Sequence, residues 1–241
     1  MKKESDSRSP SGKIAFLAVF AAGLVVLALY LLKMDKITLT GTKYVDQEDA
    51  LQMLLPEEDR RMSAVLYAML FGPDRDLLFD SIRIRPSGFA SARISVEEDP
   101  ADCLIHTDGG YAVINRNGVV VDIRKDVLEE LTVLVGVNAG NAVRYQPLQV
   151  DDETLFSEGL SLAKDIRSSG IPCETILLKP DDYQLVTGNI TISFGSGENA
   201  EEKLAAILDL YPSLLGLKGT LHVEGHGGED DNGKYYFEVT R

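Results

Sequence analysis

Four carboxylates crowd into six positions of the stretch ISVEEDPADCLI (residues 94–105): Glu97, Glu98, Asp99 and Asp102. Acid clusters of this density hold hard cations through oxygen, divide general acid and base roles between two carboxyls, or mark a solvated junction between folded pieces. The other residues that could do chemistry are few. Cys103 and Cys173 lie 70 positions apart and match no metal or redox spacing, so two buried free thiols are favoured over a bridge. Cys103 and His106 project from opposite faces of a strand, the wrong arrangement for a nucleophile and its base. His222 and His226 have an i, i+4 spacing, but they fall in the Gly-rich EGHGGEDD rather than a helix, and zinc usually needs three or four ligands. Gly195-Ser196-Gly197 could hold an anion on backbone amides, yet a plain loop explains it better. There is no G-x-S-x-G and no phosphate loop. The reading is therefore of a protein that is not an enzyme and uses no cofactor and no metal.

The elements that carry these residues begin with a span. Residues 14–32, IAFLAVFAAGLVVLALYLL, are nineteen residues without a charge. As a helix they cover about 28 Å, close to a bilayer's apolar thickness. The run ends in Tyr-Leu-Leu-Lys-Met-Asp, which offers no small-residue cleavage site, so an uncleaved anchor is expected. Lys2, Lys3, Arg8 and Lys13 precede it, and the positive-inside rule keeps the N-terminus cytoplasmic, with the C-terminus and about 205 residues outside. The chain's net charge is −14; residues 1–33 carry +3, leaving −17 beyond them. Such a surface argues against nucleic acid as a partner.

Past the span, ITLTG (37–41) alternates like a strand and ends at a turn glycine. Asp46 caps a helix with Ala50, Leu51, Leu54 and Leu55 on one face, stopped by Pro56. A second helix fits Ser63 to Phe71 and ends at Gly72-Pro73. Strands SIRIR (81–85) and ARISVE (92–97) follow, separated by Pro86-Ser87-Gly88. The order is β-α-α-β-β. Beyond the acids, short strands fit DCLIHT, YAVIN, VVVDI and TVLVGV, then a helix from Asp152 to Ser169 closed by Gly170. Strands CETILL, YQLVT and ITISF come next. Another helix opens with an Asn199-x-x-Glu202 capping pattern and buries Leu204, Ile207, Leu208 and Tyr211. TLHVE (220–224) and YYFEV (235–239) close the chain across a polar loop. The fold class is α+β: an N-terminal transmembrane helix, a small mixed module, and a second α+β domain with a mostly antiparallel sheet.

Three weak motifs occur in order behind that anchor. The first is Ile94, Val96, Glu97 and Pro100; the second is Tyr111, Ile114, Asn115, Gly118 and Val120; the third is Leu131, Thr132, Leu134 and Gly136. Their order and spacing resemble the FtsQ/DivIB family of bacterial cell-division proteins, with Glu98 where a basic residue is usual, Ala101 one position early, and Asn115 for an Asp. The first module, with its Leu39-Thr40-Gly41 entry, resembles a POTRA domain. The resemblance implies a cytoplasmic tail (1–13), a transmembrane helix (14–33), a POTRA-like domain (34–100), a β domain (101–224) and a C-terminal loop with a possible edge strand (225–241). It also implies a non-enzymatic divisome scaffold at the septum that binds FtsL-type and DivIC/FtsB-type single-pass proteins and helps regulate septal peptidoglycan synthesis. A membrane-anchored cell-wall hydrolase or polymer-binding protein is the alternative.

In that frame the acid cluster lies where one module ends and the next begins, and a solvated joint explains it best. Each acid is then a surface residue, and its replacement by Asn or Gln is expected to change stability by no more than about 0.5 kcal/mol. The resemblance puts partner binding late in the second domain. There Leu221, His222 and Val223 can form a hairpin with Tyr235, Tyr236 and Phe237, and the last strand is a natural sheet edge able to accept a partner strand.

Overall fold

A computed structural model describes residues 10–71, 77–88, 90–224 and 235–240. The chain divides into two compact units, Met1–Glu98 and Asp99–Arg241.

The first unit opens with helix α1, Pro10–Leu31, which starts four residues before the apolar run with proline in its first turn. Its stretch Ile14–Leu31 has the length and composition to cross a membrane. Strand β1 (Lys36–Thr40), helix α2 (Gln47–Leu54), helix α3 (Met62–Phe71) and strands β2 (Phe79–Gly88) and β3 (Ser91–Glu98) follow in the expected β-α-α-β-β order. Asp46 caps α2, its carboxylate accepting from the amides of Glu48 and Asp49. Strand β3 is central, parallel to β1 and antiparallel to β2. Their period-2 pattern buries Leu39, Ala92, Ile94 and Val96. Val65 of α3 and Leu55 pack on that face with Ile37, Met69 and Ile84. Pro86-Ser87-Gly88 does not separate the two strands. It lies inside β2, with Pro86 opposite Ala92, which proline tolerates because β2 is a sheet edge and no ladder bond is lost outward. The helix stop at Gly72-Pro73 lies outside the described residues.

Gly41 ends β1 at φ +106°, and a Cβ there would stand 2.0 Å from the carbonyl oxygen of Val96. The parallel β1–β3 pair thus closes onto a bare backbone, which only glycine allows.

The second unit is a nine-stranded sheet with helices α4 (Glu153–Ser169) and α5 (Ala200–Leu214). Its strands are β4 (Ala101–Thr107), β5 (Gly110–Asn115), β6 (Val120–Arg124), β7 (Thr132–Val135), β8 (Thr175–Leu177), β9 (Tyr183–Thr187), β10 (Ile190–Gly195), β11 (Gly219–His222) and β12 (Tyr236–Val239). The order is β12-β11-β10-β9-β8-β7-β4-β5-β6. Pairing is mostly antiparallel, with parallel contacts at β4–β7, β7–β8 and β10–β11. The core lies between the helices and one sheet face: Leu155, Phe156, Leu162, Ala163 and Ile166 of α4 and Leu204 and Ile207 of α5 meet Ile105, Leu134, Ile176, Leu185, Ile192 and Leu221. Gly136 after β7 repeats the close approach seen at Gly41, its φ +110° setting a Cβ 2.0 Å from the carbonyl of Leu178.

Two local expectations at α5 are corrected. Asn199 adopts a left-handed φ of +53°, and its side chain makes no cap bond to the first turn. Leu208 is 42% exposed rather than buried, and Tyr211 is half-buried, its hydroxyl 3.2 Å from that of Thr187.

Candidate functional site

Strands β11 and β12 form the edge that the closing hairpin predicts. They pair antiparallel, Leu221 opposite Phe237 and His222 opposite Tyr236. Alternation then sorts the candidates. Leu221 and Val223 are buried in the core, and Tyr235 and Phe237 pack against it from the same face. His222, Tyr236 and Glu238 share the opposite face. Tyr236 is 56% exposed, and its ring stacks on His222 at 4.3 Å with the planes 9° apart. His222 Nδ1 lies 2.8 Å from Glu224 Oε1, while Nε2 is buried without a hydrogen bond, 3.8 Å from Glu238 Oε2. Burial raises the Glu224 carboxyl pKa, but hydrogen bonds from His222, Ser193 and its own backbone outweigh it and the net direction is down. Val239 leaves the core and is 60% exposed.

The backbone register fixes what the edge offers. Thr240 N donates to Lys218 O at 2.9 Å, so in this antiparallel ladder the residues two and four before it, Glu238 and Tyr236, also point their amides at β11. The amides and carbonyls of Phe237 and Val239 therefore face away from β11, along the free side of the sheet.

The other candidates do not assemble. The four acids have separate partners, and of the four Glu97 alone is exposed. Glu97 accepts from Ser81 Oγ at 3.2 Å. Glu98 Oε1 accepts from the amides of Lys43 and Val45 at 2.7 and 2.8 Å, and Oε2 from that of Tyr44 at 2.9 Å. Asp99 is buried, paired with Arg116 Nε at 2.9 Å and accepting from Asn117 Nδ2 at 2.8 Å. Asp102 is equally buried, with Oδ2 lacking a hydrogen bond. Its pKa is raised by burial against the opposing pull of Arg167, Arg116 and Lys164. The solvated joint is thus replaced by one amide-bound carboxylate and two buried ones. Among the described residues, no three His, Cys, Asp or Glu side chains gather as metal ligands. His226 lies outside the described residues.

Cys103 is fully buried and its thiol pKa is pushed far up, first by burial and then by the charge of Asp102. His106 points out from the same strand, edge-on to Tyr111. Cys173 is raised to about 12, mainly by burial, and both thiols are free. The Gly195-Ser196-Gly197 turn holds a cation instead of an anion: Lys203 Nζ, buried under α5, donates to Ser196 O at 2.9 Å and sits 5.0 Å from the centre of the Phe194 ring. Sequence reasoning missed Lys203, although its spacing one residue before Leu204 and four before Ile207 places it on the inward side of α5. In the first unit a cleft of about 410 Å³ is lined by Arg83, Arg85, Arg93, Pro86, Ser87 and Ser95. It is basic, with no nucleophile–base pair among its lining residues.

The buried Asn115 side chain explains one motif position. Its Oδ1 accepts from the amides of Asn117 and Val119 at 3.1 and 2.9 Å, closing the turn before β6. An acceptor oxygen is what the turn needs, so Asn serves where an Asp is usual.

No curated protein matches this sequence. The family model described as Cell division protein FtsQ/DivIB, C-terminal, matches residues 103–226, just over half of the chain and nearly all of the second unit up to β11. With the sheet, the turn at Asn115 and the glycine at 136 in the expected places, this chain belongs to the FtsQ/DivIB family of cell-division proteins.

Proposed function

We propose that this protein is a non-enzymatic, single-span scaffold of the divisome that captures partners by strand addition at β12. On this reading residues 1–13 are cytoplasmic, 14–33 cross the membrane, and the POTRA-like region (34–100), β domain (101–224) and C-terminal segment (225–241) lie outside, at the septum. The partners are FtsL-type and DivIC/FtsB-type single-pass proteins, and the complex helps regulate septal peptidoglycan synthesis. One observation carries the reading: β12 ends the sheet order, with the backbone groups of Phe237 and Val239 turned outward. A partner strand laid there gains main-chain hydrogen bonds, and Tyr236 supplies an exposed aromatic anchor beside it.

The test follows from the register. Val239→Pro removes an outward amide at an exposed position and leaves the ladder to β11 intact. It should weaken capture of the DivIC/FtsB-type partner at least about tenfold, since one lost bond plus a steric block exceeds about 1.4 kcal/mol. Tyr236→Ala should weaken capture while retaining the fold by circular dichroism. Removing residues 234–241 is a poor test, because Tyr235 and Phe237 pack against the core that holds Leu221 and Val223. Undiminished capture by folded Val239→Pro would exclude strand addition at this edge.

A further inference from the structure

The ten residues of α3, MSAVLYAMLF, carry no charge. One side is accounted for: Val65 and Met69 pack with Leu55, Ala92, Ile37 and Ile84. The other side is apolar as well, with Leu66 37%, Tyr67 64% and Leu70 77% exposed. A helix side that faces water normally carries polar groups, and an apolar stripe left exposed marks a surface that something covers.

The attachment of α3 says what covers it. Met62 N, at the start of α3, donates to Leu32 O at 2.9 Å, one residue past the end of α1, and Met34 N donates to Arg60 O at 2.8 Å. The backbones of Lys33 and Arg61 form an isolated antiparallel β-bridge, and the Arg61 guanidinium lies 4.7 Å over the ring of Tyr30. The helix is therefore fastened to the last turn of α1, where Tyr30, Lys33, Arg60 and Arg61 supply the aromatic and basic groups that favour a membrane–water boundary. The acids that precede α3, Glu57, Glu58 and Asp59, stand outside it in the preceding turn, and Glu57 is engaged by Arg60 at 3.4 Å.

We propose that α3 is an interfacial helix that lies on the bilayer surface, with Leu66, Tyr67 and Leu70 turned into the headgroup–acyl boundary. The occupant of the exposed stripe is lipid, and the first unit is held by a span and a second, surface-lying helix. Helices of this kind bury their apolar side about 5–10 Å below the headgroups. The proposal rests on α1 being a membrane span and needs nothing of the chain's sidedness.

The chain contains no tryptophan, so a single introduced one reports alone. The full-length protein carrying Leu70→Trp is reconstituted in phosphatidylcholine–phosphatidylglycerol vesicles, with and without phosphatidylcholine brominated near the top of its acyl chains. Phe20→Trp, in the middle of α1, reports on the span, and Leu215→Trp, an exposed position of the second unit, reports on water. Leu70→Trp should lose about half its emission to the brominated lipid, as expected for a side chain at the acyl boundary, and be shielded from acrylamide; Leu215→Trp should show the reverse. Acrylamide quenching of Leu70→Trp equal to that of Leu215→Trp overturns the proposal. Shielding from both quenchers means protein covers the stripe and overturns it too. If Phe20→Trp escapes brominated lipid, the span reading itself falls and takes the proposal with it.

Discussion

Glu98 gives the sharpest test of how the first unit is held together. Its carboxylate takes three consecutive backbone amides, those of Lys43, Tyr44 and Val45, at 2.7–2.9 Å. These amides belong to the turn between β1 and the Asp46 cap of α2, where no ladder or helix bond would otherwise satisfy them. Three amides aimed at one oxyanion form a small anion-binding concavity, here filled by the protein's own side chain from the end of β3. A hydrogen bond to a charged group is worth about 1.5–3 kcal/mol when both partners are protected. The turn is half-exposed, so water recovers part of that, and Glu98→Ala should cost about 2–4 kcal/mol. Glu98→Gln keeps one acceptor oxygen but presents N–H to at least one amide, and should cost about 1–2 kcal/mol. The direct assay is hydrogen exchange at residues 43–45. A loss of 2 kcal/mol at the low end speeds exchange there by a factor of about 30 in the Ala variant, with amides of β9 and β10 unchanged as an internal reference. Unaltered exchange at those three amides in Glu98→Ala would refute the reasoning, and return Glu98 to the surface role its sequence context suggests.

The buried acids of the second unit should also differ from surface residues. Asp99→Asn removes the charge facing Arg116 but keeps an acceptor for Asn117. It should cost about 1–3 kcal/mol in urea denaturation, less than a fully buried pair because Arg116 is 38% exposed; a change within 0.5 kcal/mol would refute it. Lys203 has a pKa lowered by burial, against the pull of Glu198 and Glu224. The unfolded chain then binds its proton more tightly, and stability rises with pH as the ordinary value of 10.5 is approached from below. Lys203→Met should lack that alkaline gain; parallel stability–pH curves for the two proteins would contradict it.

How much of this was legible in the sequence depended on the range of the interaction. Period-2 and helical patterns located most of the strands among the described residues and both helices of the second unit, because each is set by residues within a few positions. The amide site of Glu98 was not legible, since its donors lie 53–55 positions away and are backbone groups with no sequence signature. The burial of Asp99 and Asp102 was hidden for the same reason: Arg116 and Asn117 reach Asp99 only through the fold, and Asp102 falls on a strand buried on both faces. The cap bond expected from the Asn199 side chain is absent, because an N-cap residue needs an extended backbone and Asn199 is left-handed.

The terminal edge shows both limits at once. That YYFEV would border the sheet was readable from its place after the last predicted helix. Which of its surfaces does what was not. Strand β11 pairs parallel to β10 through α5, a crossover that local pattern cannot reveal. It sends the amides of Gly219 and Val223 toward β10, onto Asn189 and Ser193, and so leaves those of the alternate residues, Thr220 and His222, for β12. The same alternation carried across the ladder turns Phe237 and Val239 outward along the edge, while Tyr236 and Glu238 project from the sheet face. Backbone and aromatic are therefore presented in two adjoining directions. A strand added at β12 can bond to Phe237 and Val239 while its own side chains meet Tyr236 and His222 on the face beside it. Loss of capture through Val239→Pro tests the first direction, and loss through Tyr236→Ala tests the second. If only the aromatic variant fails, recognition runs over the sheet face and the free edge is incidental.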